Sequence, residues 1–518
     1  MNQPREVTYI LRGALETEDF LKKLDQHFLV EALQTRTDQR TYYDTFDWRL
    51  FRRNLICSQA SGQLRLENIS ESSVAEESIR KRAKYFCWDF AENTFVRQLA
   101  KIIEMRALCP LVSLVATEHH YRVLNKDRKT IARLALHSET LDTDTELAST
   151  PLPELFTIQE IRGYESPYEK VLEFCRLQNL EPVNRKQYLE RVLAASGRNV
   201  LDYGEKFRVT LDPEDDIGGA IAKISLYLLG DMQKNYDGLY ADIDTEFLHD
   251  FRIAVRRTRS LLSLTRKVLP AEEANYFQKE FSWLGGLTGA LRDIDVYLLE
   301  KQNYLDMLPD SLQPGMEIFF NELHQNRIQE LKLLRQHLKS ERYDNLLRDW
   351  QAFLSDPESK LFSGPRNGRC RQFADALISK RYDRFLKDGK KITSSTPNEA
   401  LHRLRIKGKK LRYLLEFFKS YYDEAQHERI VKHMKRLQDN LGDFNDLSVQ
   451  QQMLGTRLDA LRSRNLQTIR LGAALGGLIA LLNSQHQQVR SRFEATFEQF
   501  SETRVSALLK TMLEGRKK

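Results

Sequence analysis

Cysteine is scarce in this chain of 518 residues. The five copies, Cys57, Cys87, Cys109, Cys175 and Cys370, are scattered, odd in number and never spaced as a C-x-x-C pair. That argues against a disulfide framework and a cysteine-based zinc site, and it fits a reducing cytoplasm. No leader is expected either, since the opening MNQPREVTYI has no apolar core. The longest apolar run, LGAALGGLIALL from Leu471 to Leu482, falls short of the roughly 20 residues of a membrane helix. It is expected to be a buried helix packed closely through its glycines. These absences together point to a soluble, cytoplasmic protein with no membrane partner.

What is present describes a globular protein with real cores: 41% of residues are hydrophobic and 30% charged. The length calls for about two to four domains. The net charge of +7 is unevenly spread. Residues 1–205 hold 29 Lys and Arg against 31 Asp and Glu, whereas the remaining residues hold 51 against 42. A polyanion partner is therefore expected in the second part.

The fold class expected is multidomain, α+β followed by all-α. In the first part, EVTYILRG and TIARLALH alternate like half-buried strands, with LNKDRK as a hairpin turn. EDFLKKLDQHFLVEAL and SPYEKVLEFCRLQNL have helical spacing. Strand patterning stops near residue 206, which separates a 1–205 domain from a helical 206–518 domain. SDPESKLFSGPRNGR, from Ser355 to Arg369, is the one long break in the helical part. At TPNEALHRLR a helix start is expected, with Thr396 as cap, Pro397 in the first turn and Glu399 completing a capping box.

The helical part repeats itself. An offset of 153 residues places His249 on His402, Arg252 on Arg405, Arg256 on Lys409 and Arg259 on Arg412. Without a gap, the same offset places Gly289 on Gly442 and Asp293 on Asp446. Residues 246–296 give 13 identities in 51 positions. A tandem duplication, with halves of about 210–355 and 366–518, is expected to pack about a pseudo-twofold axis.

Each copy reads His-x-x-Arg-x-x-x-(Arg/Lys)-x-x-Arg, and at 100° per residue those positions share one helix face. Like charges at this spacing cost a few tenths of a kcal/mol per pair. Internal carboxylates, Asp293 and Asp446 first among them, or a bound anion must offset that cost. A third basic stripe follows the same geometry and is a further candidate for anion binding: Lys380, Arg384, Lys387 and Lys391. A purely solvated face explains this one equally well. Neither histidine has a second ligand at helical spacing, so no metal site is expected. The imidazoles suit donation to phosphate oxygens better.

The paired LHDFRIAVRRTRSLL and LHRLRIKGKKLRYLL, followed by LRDIDV- and FNDLSV-like segments, resemble the CHAD family, the conserved-histidine α-helical domain. The likeness covers roughly residues 210–518. It implies two pseudo-symmetric helical bundles whose basic, histidine-containing surface binds inorganic polyphosphate, often at polyphosphate granules. The binding positions implied are His249, Arg252, Arg256, Arg259, His402, Arg405, Lys409 and Arg412.

Residues 5–200 resemble a CYTH domain, the triphosphate tunnel fold, through YYDTFDWRLFRRN and VNRKQYLERV. That likeness implies an antiparallel tunnel or barrel with flanking helices. Active members carry Glu-x-Glu-x-Lys on the first strand, whose carboxylates hold a divalent metal. Here Thr8 and Ile10 follow Glu6, so one carboxylate and one cation are lost. Losing a single such group costs about 10²–10³ in rate, and a degenerate domain with little or no triphosphatase activity is expected. Glu160 is a candidate replacement carboxylate. Arg12, Arg133 and His137 could leave the tunnel basic, but ordinary strand-surface roles are the first expectation for them.

The expectation is thus a non-catalytic polyphosphate-binding protein without a cofactor. One alternative is a hydrolase of short-chain phosphates, with Mg²⁺ or Mn²⁺ required if the first domain is active. The other is nucleic-acid binding, which is disfavoured because the stripes lack interleaved aromatics for stacking bases.

Overall fold

Two kinds of sequence periodicity divide the chain, and they fall in separate units, Met1–Lys206 and Phe207–Lys518. A computed structural model describes residues 5–11, 14–68, 73–79, 82–142, 152–180, 182–183, 185–203, 207–356, 369–462 and 465–515. Arg12, the 204–206 part of the expected boundary and most of the Ser355–Arg369 break lie outside those residues.

The first unit runs β1 (Glu6–Leu11), α1 (Ala14–His27), β2 (Leu29–Asp44), β3 (Leu55–Ala60), β4 (Gln63–Asn68) and β5 (Ser73–Ser78). It continues with α2 (Thr94–Ile103), β6 (Cys109–Leu124), β7 (Thr130–Leu141), β8 (Glu154–Glu160), α3 (Glu165–Leu177) and α4 (Arg185–Ala195). All strand pairs are antiparallel, in the order β1-β8-β7-β6-β2-β3-β4-β5. Among the described residues no ladder joins β1 to β5, so the expected tunnel is an open sheet rather than a closed barrel.

The segment Phe28–Leu33, expected as helix, is instead the turn into β2 and its first residues. Leu29–Ala32 pair with Leu124–Tyr121 of β6, and these cross-strand contacts override the local helical spacing. Period two then sorts the side chains. Tyr9 and Leu11 of β1 pack under Phe20 and Leu24 of α1 and Val171 and Leu172 of α3. On the other face, Tyr188, Leu189 and Val192 of α4 cover Tyr42, Leu114 and Leu155.

The second unit is helical: α5 (Ile217–Ala241), α6 (Thr245–Thr265), α7 (Ala271–Leu299), α8 (Lys301–Asp306), α9 (Gln313–Leu338) and α10 (Glu341–Ser355). Then come α11 (Cys370–Gly389), α12 (Asn398–Phe417), α13 (Glu424–Asp459), α14 (Leu466–Ser491), α15 (Phe493–Ser501) and α16 (Thr503–Glu514). Four helices begin 153 residues before a counterpart: Ile217 and Cys370, Thr245 and Asn398, Ala271 and Glu424, Gln313 and Leu466.

The halves meet through equivalent residues, as in a twofold dimer. Arg257 donates to Glu416 at 2.9 Å. The corresponding residues repeat the contact, with Lys410 donating to Ser263 at 3.0 Å. Tyr297 donates to the carbonyl of Gln450, its own counterpart, at 3.1 Å and so marks the axis.

The helix α12 begins at Asn398, with Pro397 before it and no side-chain cap. Thr396, the expected cap, instead accepts from the amide of Thr393. Leu471, Ala474, Leu475, Leu478 and Leu482 of α14 share one core with Met316, Phe319 and Phe320 of α9. The close approach comes mainly from Gly315 of α9, where a Cβ would stand 2.3 Å from the carbonyl of Arg470. The expectation about length also changes. The apolar run sits in a helical stretch, Leu466–Ser501, that is long and apolar enough to cross a membrane by length and composition, with 28% of its apolar window buried.

Candidate functional site

In the first unit, strand alternation points Glu6 and Thr8 into a cavity of about 510 Å³ lined by all eight strands and α4. The cavity contains many charges, and most of them are paired within the protein. Arg40 reaches Glu118 at 2.8 Å and the buried Glu139 at 2.7 Å. His137 sits 3.2 Å from Glu118. The hydrogen bond from His137, with charge from His137 and Arg40, pulls the Glu118 carboxyl down to about 2 despite its burial.

The segment VNRKQYLERV supplies two more lining residues. Arg185 spans from Glu67 of β4, at 2.7 Å, to Glu6 of β1, at 3.2 Å. Tyr188 donates to Glu139 at 2.6 Å. In the other likeness-bearing segment, Asp44 is a structural hub that accepts the amides of Thr45, Leu50 and Phe51.

A divalent metal does not fit this donor set. Glu6 is held by Arg185, Thr8 shares a hydrogen bond with Thr157 at 3.1 Å, and Ile10 packs in the apolar cluster under α4. Glu160 is no substitute, because it pairs with Arg5 and does not line the cavity. Among the described residues no group of three or more His, Cys, Asp and Glu could hold a metal ion. Arg133 and His137 do line the cavity rather than serving as ordinary outer-surface residues.

The second unit builds a different site. The helices α6 and α12 carry the two predicted stripes and pack against each other. Arg256 of α6 acts electrostatically on Arg405 and Lys409 of α12, so the stripes form one composite basic face across the axis. Burial and the neighbouring guanidiniums push the Lys409 ammonium down to about 7. The same causes lower Arg252 and Arg405.

Carboxylates offset only part of this charge. Arg405 donates to Asp446 at 3.2 Å. Arg412 meets Glu416 at 2.9 Å and donates to Gln438 at 3.2 Å. Burial raises the Asp293 carboxyl against the pull of Arg252 and Arg292, and its counterpart Asp446 adds repulsion. Locking of helices by arginine is therefore real at Arg405 and Arg412. Arg252 instead donates to the carbonyl of Gly285 at 3.1 Å.

Among the described residues, Arg256, Arg259 and Lys409 have no hydrogen-bond or ion-pair partner, and the Nε atoms of Arg256 and Arg259 are buried and unsatisfied. A difference between the halves explains Arg259. Its counterpart Arg412 finds the amide of Gln438, but the position equivalent to Gln438 is Gly285. A Cβ there would stand 2.7 Å from Nη1 of Arg259. Arg259 thus lies over a glycine that offers it no side-chain acceptor.

The structure does not unite every predicted residue. Lys380, Arg384 and Lys387 are exposed on α11, Lys391 is exposed two residues beyond its end, and none makes an ion pair among the described residues. His249 is half-buried on α6, and His402 is exposed on α12. Sequence reasoning missed Glu416, which ties Arg257 and Arg412 together. Its place four residues after Arg412 was the available signal.

The CHAD domain family model matches residues 225–455. Uncharacterised proteins from two strains of Mycobacterium tuberculosis are each 25% identical over 283 residues, 53% of this chain and 50% of theirs. The chain thus matches about half the length of those relatives. The crystal structure of the CHAD domain from the plant Ricinus communis is 24% identical with a TM-score of 0.49, covering 57% of this chain and 97% of that one. PptA from Streptomyces chartreusis is 14% identical with a TM-score of 0.44, covering 55% and 100%. A putative adenylyl cyclase from Hippeastrum with a dominant triphosphatase activity is 14% identical with a TM-score of 0.25, covering 39% and 100%. Residues 225–455, from within α5 to α13, with both basic stripes among them, are a CHAD domain.

Proposed function

We propose that the helical unit binds inorganic polyphosphate, or a polyanion of the same repeating charge, on the composite face of α6 and α12, and that the protein is not a catalyst. The observation that carries this reading is the set of partnerless cations, Arg256, Arg259 and Lys409, beside Arg252, Arg405 and Arg412. Crowding them costs Coulomb energy that a bound chain of phosphates would return. Arginine forks suit phosphate oxygens in directed pairs, and a polyanion would release counterions as it bound. The cytoplasm, including polyphosphate granules, is the proposed location.

The test is a titration of the full chain with long-chain polyphosphate at two salt concentrations. With about six phosphates neutralised, log K should fall with log salt at a slope of about 4 to 5. Arg252→Glu with Arg405→Glu should weaken binding at least about a hundredfold, as each charge-assisted contact is worth about 1.5–3 kcal/mol, while circular dichroism shows unchanged helicity. Loss of helicity instead would make these arginines structural. Displacement of polyphosphate by single-stranded DNA at equal phosphate concentration would favour nucleic acid as the ligand.

A further inference from the structure

The first unit has a second pocket, of about 610 Å³, which shares no lining residue with the cavity described above. Three of its cations come from one tight turn. Arg49, Arg52 and Arg53 follow the Asp44 hub, which accepts the amides of Leu50 and Phe51 between them. Lys186 of α4 supplies the fourth cation. Glu104, the one carboxylate among the described lining residues, is engaged by Arg49 at 2.9 Å. Arg49 also reaches Asp47 at 3.2 Å, so its charge is answered within the protein. Arg53 and Lys186 meet no carboxylate among the described residues. Arg53 is exposed, and its side chain makes no hydrogen bond or ion pair there. Lys186 is fixed in place by neutral groups: it donates to the side-chain oxygen of Asn54 at 2.7 Å and stands 4.4 Å from the centre of the Phe51 ring. Arg52 is oriented by the carbonyls of Asp47 and Tyr203, at 3.0 and 2.8 Å. Leu201, which also lines the pocket, is 45% exposed and has a left-handed backbone with φ 58°. A bulky side chain adopts that backbone at a cost, and a leucine so exposed gains little from burial in its own protein.

We propose that this pocket binds an organic phosphate monoester, with the phosphate held by Arg53 and Lys186 and the organic part resting on Leu201. A phosphate monoester carries close to two charges and three strong acceptor oxygens, so one group serves both cations. The two oxygens of a carboxylate would be used up by a single guanidinium fork. A volume of about 610 Å³ suits a small organic molecule rather than a bare ion. Contact with the organic part would complete the burial that Leu201 lacks in the protein alone. The site is independent of the polyanion face on α6 and α12.

The test is amide hydrogen exchange, read by mass spectrometry, on the full chain with phenyl phosphate as the probe. Residues 48–54 and 185–189 should exchange more slowly as phenyl phosphate is added, and the dose dependence gives its Kd. Arg53→Ala should raise that Kd at least about tenfold while leaving the unfolding midpoint unchanged, since this side chain has no partner to lose among the described residues. Benzoate, the same ring with a carboxylate, should bind at least about tenfold more weakly. Leu201→Asn places a residue suited to the left-handed backbone and should reduce the affinity for phenyl phosphate to that for inorganic phosphate. Absence of protection at 48–54, or protection unchanged by Arg53→Ala with Lys186→Gln, overturns the inference. Benzoate binding as well as phenyl phosphate overturns the assignment to phosphate. Protection confined to 252–259 and 405–412 overturns this pocket and leaves the polyphosphate reading intact, whereas protection at 48–54 alone supports the pocket without that reading.

Discussion

Lys409 shows how much one side chain in the site depends on its neighbours. In the unfolded chain its pKa is about 10.4, while in the folded protein burial and three guanidiniums hold it at about 7. Between those values the unfolded chain binds more protons at this position than the folded protein does. The contribution of this group to stability therefore rises with pH across that window. Denaturant unfolding at several pH values should show the wild type gaining on Lys409→Met as pH rises from about 7 towards 10. A constant difference would mean that the lysine titrates normally. The motif residues were legible in the sequence because the helical period and the duplication both pick them out. Which arginines are paired was not legible, since that depends on the facing helix. Gln438 satisfies Arg412, while Gly285 leaves Arg259 without an acceptor.

Elements were legible where one period ran unopposed. The helices α6 and α12 follow from the repeated apolar spacing, and their matching starts follow from a duplication without gaps. The boundary between α1 and β2 was not legible, because pairing with β6 decided it. Nor was the start of α12, where the Thr396 hydroxyl turned back to the Thr393 amide. The pairing of α9 with α14 was partly hidden, because its tightest approach is at a glycine of the partner helix, Gly315, while Gly477 of the apolar run comes close to Leu312. A Cβ at Gly315 would meet the Arg470 carbonyl at 2.3 Å and the Ala474 Cβ at 2.8 Å. Gly315→Ala should force the helices apart and destabilise the unit by about 1–3 kcal/mol, measured by denaturant unfolding. An unchanged midpoint would show that the contact relaxes freely.

For the whole molecule, charge is divided between two units with different chemistry. The first unit surrounds its cavity with internal ion pairs, and Arg185 bridges the one carboxylate left from the expected metal set. Tripolyphosphate with Mg²⁺ or Mn²⁺ should therefore be hydrolysed no faster by the wild type than by Glu6→Gln, as measured by phosphate release. Turnover that Glu6→Gln abolishes would restore the enzyme reading. The sequence announced the missing glutamate and lysine on β1, but not the guanidinium that now engages Glu6.

In the second unit, the contact from Tyr297 to its own counterpart has a consequence for concentration. Two separate copies meeting across such an axis would come apart on dilution, and a site made jointly by both would vanish with them. Joining the copies in one chain replaces that encounter by a fixed local concentration, of about millimolar order for short flexible connections. The cations of α6 and α12 are thus presented together at any abundance of the protein, and the polyanion binding proposed for them should scale with the first power of protein concentration rather than the second.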